Sequence, residues 1–208
     1  MFNPLKHIDN TLLNASLTGF ANKIREMFEL NVFALNIANN PKRAVEIHNG
    51  GKPANLPYGW YTPSTLDLDT GNNNLTNISR YGSSIAVPNG ETSTLKQSYF
   101  FPCNIPLDIV VRFDEQAAAT IFAQRMIVAL PAKLLNFELE ISAVQDKFTV
   151  VVDSGGSYSI PFPKIDDIDN PNGLYYEIQF NLTLKTKIGI LRDVAKLNNN
   201  GTITIGES

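Results

Sequence analysis

The sequence predicts a mixed α/β domain of the α+β type, a mostly antiparallel sheet flanked by two helices, and three observations carry that expectation. The first is a run from Leu174 to Ile188 that alternates sides almost without error: Leu174, Tyr176, Ile178, Phe180, Leu182, Leu184 and Ile188 on one, Tyr175, Glu177, Gln179, Asn181, Thr183, Lys185 and Lys187 on the other. Such a strand, half buried and half wet, spans on the order of 50 Å, well beyond the usual strand of about 5 to 6 residues. It is either completed by another subunit at its far end or strongly bent within one domain. The second observation is an amphipathic period near the N-terminus, and the third is an apolar helical stretch after Asp114.

In chain order, residues Asp9 to Leu30 set Leu13, Leu17, Phe20, Ile24 and Met27 at helical spacing, with Asn14, Thr18, Asn22, Lys23, Arg25 and Glu26 opposite. Asp9 or Asn10 can cap the first amides. Asn31 to Ala38 and Arg43 to Ile47 read as short strands split by the turn Asn39-Asn40-Pro41. From Asn49 to Asn89 glycine and proline interrupt every period, which makes this a loop-rich insertion with one short strand near Tyr58 to Leu68. It carries Tyr58, Trp60, Tyr61 and Tyr81, aromatics that disordered linkers lack. They suit an interface, since they bury large area and keep a polar handle; pinning the loop to its own domain explains them equally well.

Thr94 to Phe101 and Ile105 to Phe113 read as two strands around the break Pro102-Cys103-Asn104-Ile105-Pro106. Asp114 then caps a second helix to Leu130. Its polar groups fall on Gln116, Thr120 and Gln124 with Arg125 beside them, and apolar residues cover the rest, as expected of a buried helix covered on more than one side. Leu135 to Ile141, Phe148 to Asp153 and the long strand complete the sheet, with Ser154-Gly155-Gly156-Ser157 as a hairpin loop and Asp169 to Gly173 as a turn. The expected core includes Phe113, Ile121, Phe122, Leu139, Ile141, Val150, Ile178, Phe180 and Leu182. One domain over 1–188 is followed by a C-terminal tail, 189–208, in which Thr202-Ile203-Thr204-Ile205 forms a small strand with nothing local to pair with; such a tail is frayed or docked on a neighbour.

Composition removes several function classes. A chain of 208 residues with 43% hydrophobic residues can bury a core without a staple. The lone Cys103 forbids an internal disulfide, and with only His7 and His48 there is no Cys/His set for zinc. A net charge of -3 without any basic run argues against a nucleic-acid groove or an anionic-membrane patch. No stretch reaches the ~18 apolar residues of a membrane span, and Met1 to Lys6 lacks the pattern of a secretion signal. The expected setting is a cytoplasm, or an assembly formed in one.

Enzymatic motifs are absent. There is no phosphate-binding Gly-Lys-Ser/Thr loop, no dinucleotide fingerprint and no nucleophile elbow, and neither histidine stands beside a nucleophile motif. Asp67-Leu68-Asp69 and Asp167-Ile168-Asp169 offer oxygens two apart, as calcium loops do, but position six is Asn72 or Asn172 and position twelve Ile78 or Ile178. Both read as solvated turns. The expectation is a protein without catalytic, cofactor or metal residues.

The run Pro106-Leu107-Asp108-Ile109-Val110-Val111-Arg112-Phe113-Asp114-Glu115, followed by the helix to Leu130 and Pro131, resembles the tail-completion proteins of contractile-tailed bacteriophages, the tail terminators or tail-sheath stabilisers. The strand Tyr175 to Leu184 is similar to that family's closing strand, and Met1-Phe2 leading into an amphipathic helix is similar too. The likeness covers about 94–188 and, loosely, 1–35; it does not reach 49–89. It implies a structural virion protein without enzymatic activity, made in the host cytoplasm, that assembles as a homo-oligomeric ring, a hexamer, at the head-proximal end of the tail and contacts tube, sheath and neck or connector proteins. The residues expected at its interfaces are Tyr58, Trp60, Tyr61, Tyr81, Gln116, Thr120, Gln124, Arg125, Thr202, Ile203, Thr204 and Ile205. Two alternatives stand beside this: another phage neck or baseplate ring component, and a carbohydrate-binding domain with Tyr58, Trp60 and Tyr61 lining a cleft above Asp67 and Asp69.

Overall fold

Two strands of unusual length organise the molecule, β6 (Thr92–Phe113) and β10 (Tyr175–Asn198), paired antiparallel from end to end with one irregularity between Asp193 and Ala195. The structure, a computed structural model, describes residues 8–37, 40–69, 83–89, 92–141, 146–156, 158–166, 175–198 and 203–205. Around the central pair the sheet runs β2 (Val32–Leu35), β3 (Tyr58–Pro63), β6, β10, β8 (Asp146–Asp153), β7 (Phe137–Ile141). β4 (Asp67–Leu68) and β5 (Ser83–Asn89) join β6, while β1 (Ile8–Asp9), β9 (Lys164–Asp166) and β11 (Ile203–Ile205) join β10. Only β2 and β3 pair in parallel among the described strands. The fold is therefore α+β with a mostly antiparallel sheet.

The two predicted strands around Pro102 and Pro106 are one strand, β6. In a strand the N–H and C=O of a residue point to the same side. Pro106 O accepts from Ser64 N and Pro102 O from Asp69 N, both at 3.0 Å, so both rings face away from β10 and the β6–β10 ladder loses no donor.

Helix α1 (Thr11–Phe28) buries Leu12, Ser16, Phe20, Ile24 and Phe28, an i, i+4 stripe; Leu13, Leu17 and Met27 of the expected stripe lie half-buried on its flank. Asn10 stands at its N-cap without a side-chain hydrogen bond, and the side chain of Asp9, the other expected cap, lies outside the description. Ser16 Oγ, buried in the stripe, donates to Leu12 O at 2.9 Å and meets Thr186 Oγ1 of β10 at 2.6 Å, a satisfied polar tie between helix and sheet.

The strand expected over Arg43 to Ile47 is a helix, α2 (Pro41–His48). Asn40 Oδ1 accepts from Arg43 N at 3.0 Å and Pro41 supplies the preset φ of a first helical turn; these start signals outweigh the local alternation of Val45 and Ile47. The insertion 49–89 holds β3, β4 and β5, more strand than expected; its stretch 70–82 lies outside the described residues.

Helix α3 (Gln116–Ala129) begins after Glu115, and no side chain caps it, contrary to the role expected of Asp114. It buries Ala119, Phe122, Met126 and Ala129 against β6 and β10. Ile121, expected in the core, is 49% exposed. The helix turns one stripe inward, and within this chain nothing described covers a second.

The main core lies on the face that carries α1 and α3, built from odd residues of β6 (Ile105 to Phe113) and even residues of β10 (Ile178 to Leu184) with Phe148, Val150 and Val152 of β8. Phe113, Phe122, Val150, Ile178, Phe180 and Leu182 are buried as expected, and Leu139 packs at the margin. Ile141 closes β7, and its side chain is outside the description. On the opposite face α2 covers only one corner, where Val32, Ala34, Val45, Trp60 and Val110 meet.

The strand β10 continues past Ile188 to Asn198, so the expected tail boundary at 188/189 falls inside a strand, and β11 pairs with Ala195 to Leu197 of its own chain. Hairpin pairing supplies the local partner that Ile203 to Ile205 lacked in the sequence. The segment after Asp153 is no hairpin either: β8 and β9 both pair antiparallel with β10, one after the other along its edge.

Candidate assembly interface

The β6–β10 pair continues from Phe100 and Gly189 to Thr92 and Asn198, which is roughly 30 Å of sheet. There β5 and β11 flank the pair, so that Val87, Thr94, Lys196 and Thr204 stand side by side across four antiparallel strands β5-β6-β10-β11. Asn89 and Thr92 are the last described pair between β5 and β6. This four-stranded arm is the feature that the sequence reading missed, because it divided one strand at its prolines and ended the other at Ile188.

The expected interface residues separate into three groups. Trp60 and Tyr61 are 7% and 3% exposed and belong to the protein's own packing. Tyr61 stacks on Phe33 with centroids 5.1 Å apart and meets Phe20 edge-on at 5.6 Å; its hydroxyl donates to Leu17 O at 3.2 Å, and burial pushes its pKa up to about 12. Tyr58 is half-buried beside Trp60. The second group is on α3, where Gln116, Gln124 and Arg125 are exposed and Thr120, half-buried, donates to Gln116 O at 2.9 Å. In the third, Ile203, Thr204 and Ile205 form β11 at the edge of the arm. Tyr81 and Thr202 lie outside the described residues.

One polar cluster marks the open face of the sheet. Arg112 Nε donates to Glu177 Oε2 at 2.8 Å across the β6–β10 pair, and its guanidinium lies 5.0 Å from the Trp60 ring centroid and 5.5 Å from that of Tyr175. Burial alone would lower the Arg112 pKa; hydrogen bonds to Glu177 and Tyr58 outweigh it and leave the group raised. Arg112 is thereby fixed as a permanent, stacked cation.

A second ion pair joins Lys185 Nζ to Asp153 Oδ2 at 2.6 Å. The hydrogen bond from Lys185, aided by the amides of Ser154 and Gly155, holds the Asp153 carboxyl below its usual 3.8 although partial burial opposes this. A depressed carboxyl contributes stability that is present above the unfolded pKa and lost as the pH falls through the folded one. Because the pair is partly exposed, that contribution is under about 1 kcal/mol. Asp153→Asn should therefore flatten the acid limb of a stability–pH curve below pH about 4, with Lys185→Met doing the same; unchanged acid limbs in both variants would contradict the pairing.

Between β8 and β9 the chain takes eleven steps, Asp153 to Lys164, to pass six on β10, Thr183 to Glu177. The surplus bows outward around a cavity of about 510 Å³ lined by Ser154, Ser159, Phe162, Lys164, Gln179 and Asn181. Among the described residues no group of three His, Cys, Asp or Glu side chains could hold a metal, and Asp67 only accepts from Thr65 Oγ1, at 2.9 Å. The buried Cys103 thiol is pushed up to about 11 by desolvation, which makes it a poor nucleophile. No described helix is long and apolar enough to cross a membrane. No protein-family model and no curated protein matches the chain.

Proposed function

We propose that this protein is a structural assembly subunit, a tail terminator that forms a homo-oligomeric ring, a hexamer, at the head-proximal end of a contractile phage tail and touches tube, sheath and neck proteins. The observation that carries the reading is the four-stranded arm. Strands of 22 and 24 residues far exceed the usual strand of about 5 to 6, and an arm formed by continuing the two central strands is joined directly to the core. Ring closure through heterologous contacts gives each arm a neighbour. The resemblance in residues 94–188 supplies the phage tail as the setting, and it makes the virion the place of action.

A neck or baseplate ring component shares every one of these features and differs only in its partners. The carbohydrate-binding reading loses its support, because Trp60 and Tyr61 are packed inside and form no open platform. The test is mass measurement over a concentration series, together with electron microscopy of tails assembled with tube and sheath. Deleting residues 199–208, which removes β11 and nothing of β10, should lower the melting temperature little and abolish ring formation or attachment to the tail. A strict monomer that never joins tails refutes the proposal, and normal assembly of the truncated chain removes β11 from the contact.

A further inference from the structure

The outer edge of β10 is paired by β8 and by β9, and among the described residues no strand pairs it between the two. Pro102 and Pro106 turn their carbonyls away from β10, so the odd residues of β6 turn their N–H and C=O toward it and meet even residues of β10, Ile178 to Leu184. The N–H and C=O of the odd residues of β10 therefore point the other way. Glu177 uses its pair on Lys164 of β9, and Thr183 on Asp153 of β8. Gln179 and Asn181 lie between them, and no described backbone group bonds to theirs. The cavity of about 510 Å³ stands at this gap, with both residues in its wall. Ser154 lines it too, and its Oγ is buried with no hydrogen-bond partner among the described residues.

We infer that the gap is a binding site for a short extended peptide segment with an acidic side chain, three of whose residues continue the ladder from β8 to β9. A peptide backbone repeats donor and acceptor at the spacing of the strand edge, which a small anion or a polyol does not. Running antiparallel to β10, as β8 and β9 do, its first residue pairs with Asn181 and its third with Gln179, and each pair closes two hydrogen bonds. The middle side chain turns to the face of Phe180, where Ile160 of the bowed segment already packs against the core, so a small residue fits there. The third side chain stands on the face of Gln179, next along the edge to Lys164, which is opposite Glu177. Glu177 is engaged by Arg112 at 2.8 Å, whereas the exposed Lys164 has no ion pair among the described residues. An acidic third residue complements that cation. The inference goes beyond the ring reading, because β11 pairs with β10 at Ala195 to Leu197 and its removal leaves the gap intact.

Amide hydrogen exchange of the full chain, followed by NMR with acetyl-Thr-Ala-Glu-amide as the probe, tests this. In the free protein the amides of Gln179 and Asn181 should exchange at least about tenfold faster than those of Ile178, Phe180 and Leu182, which face β6. The probe should slow both, with a dissociation constant in the millimolar range expected of so small a ligand. The same peptide methylated on the glutamate nitrogen, which removes the donor to the Gln179 carbonyl, should not bind. In Lys164→Glu the preference should reverse, with acetyl-Thr-Ala-Lys-amide binding about threefold or more tighter than the glutamate probe, as a partly exposed ion pair allows. Gln179 and Asn181 amides as protected in the free chain as that of Phe180, no binding of the probe, equal binding of its methylated form, or an unchanged preference in Lys164→Glu overturns the inference.

Discussion

Phe122→Ala is expected to cost roughly 3 to 5 kcal/mol, a large share of the about 5 to 15 kcal/mol that holds a domain together. Phe122 is 3% exposed, and its ring lies 4.9 Å from Phe28 of α1, 5.4 Å from Phe113 of β6 and 6.1 Å from Phe180 of β10, centroid to centroid. It is a point at which α1, α3 and both long strands meet, so its removal opens a cavity that no single element can fill by shifting. The neighbouring truncation Ile121→Ala, on the exposed side of the same helix, should cost the monomer under about 0.5 kcal/mol. Urea melts of the two variants measure the contrast; comparable losses would mean that α3 is rotated about its axis from the arrangement described.

Gly59→Ala should be nearly as damaging. A Cβ at this position of β3 would stand 2.6 Å from the backbone oxygen of Val110 and 3.1 Å from side-chain atoms of Phe33 and Val111. The nearest obstacle is backbone of the paired strand β6, which cannot rotate aside, so β3 has to separate from it or the ring of Phe33 has to move. Overpacking of this kind costs about 1 to 3 kcal/mol or more. At Gly19 the three nearest atoms to the equivalent Cβ all belong to the side chain of Phe137, the closest at 2.5 Å, which a ring movement can relieve, so Gly19→Ala should be the milder change. Thermal melts that rank the two in the opposite order would contradict the β3–β6 packing.

The arm and the exposed side of α3 have a common physical character. Each is ordered by bonds within the chain, ladder hydrogen bonds for the arm and the intrahelical ladder for α3.

Much of the architecture follows from periodicity alone. The alternation from Leu174 onward assigned Ile178, Phe180, Leu182 and Leu184 to the core side, where they are buried, since a half-buried strand has only one way to separate its two faces. The 3.6-residue period located α1 and α3 to within a few residues, and the mixed α+β class followed from the elements together. Where a property depends on which neighbours arrive, sequence was insufficient. Pro102 and Pro106 read as a break because proline lacks a donor, yet the missing donors fall on the side of β6 away from β10, a matter of register that tertiary pairing decides. Arg43 to Ile47 alternates weakly enough to pass for a strand, and the cap from Asn40 decided for helix. Trp60 and Tyr61 carry the chemistry of an interface, but Phe20, Phe33 and Arg112 come to them from distant parts of the chain and enclose them. The apolar surround of α3 promised cover on more than one side; packing chose Phe122 and Met126 to face the sheet and left Ile121 and Val128 outside. Local pattern determines what a segment can be, because hydrogen bonding and side-chain period act over a few residues, while burial belongs to whichever surfaces the folded chain brings together.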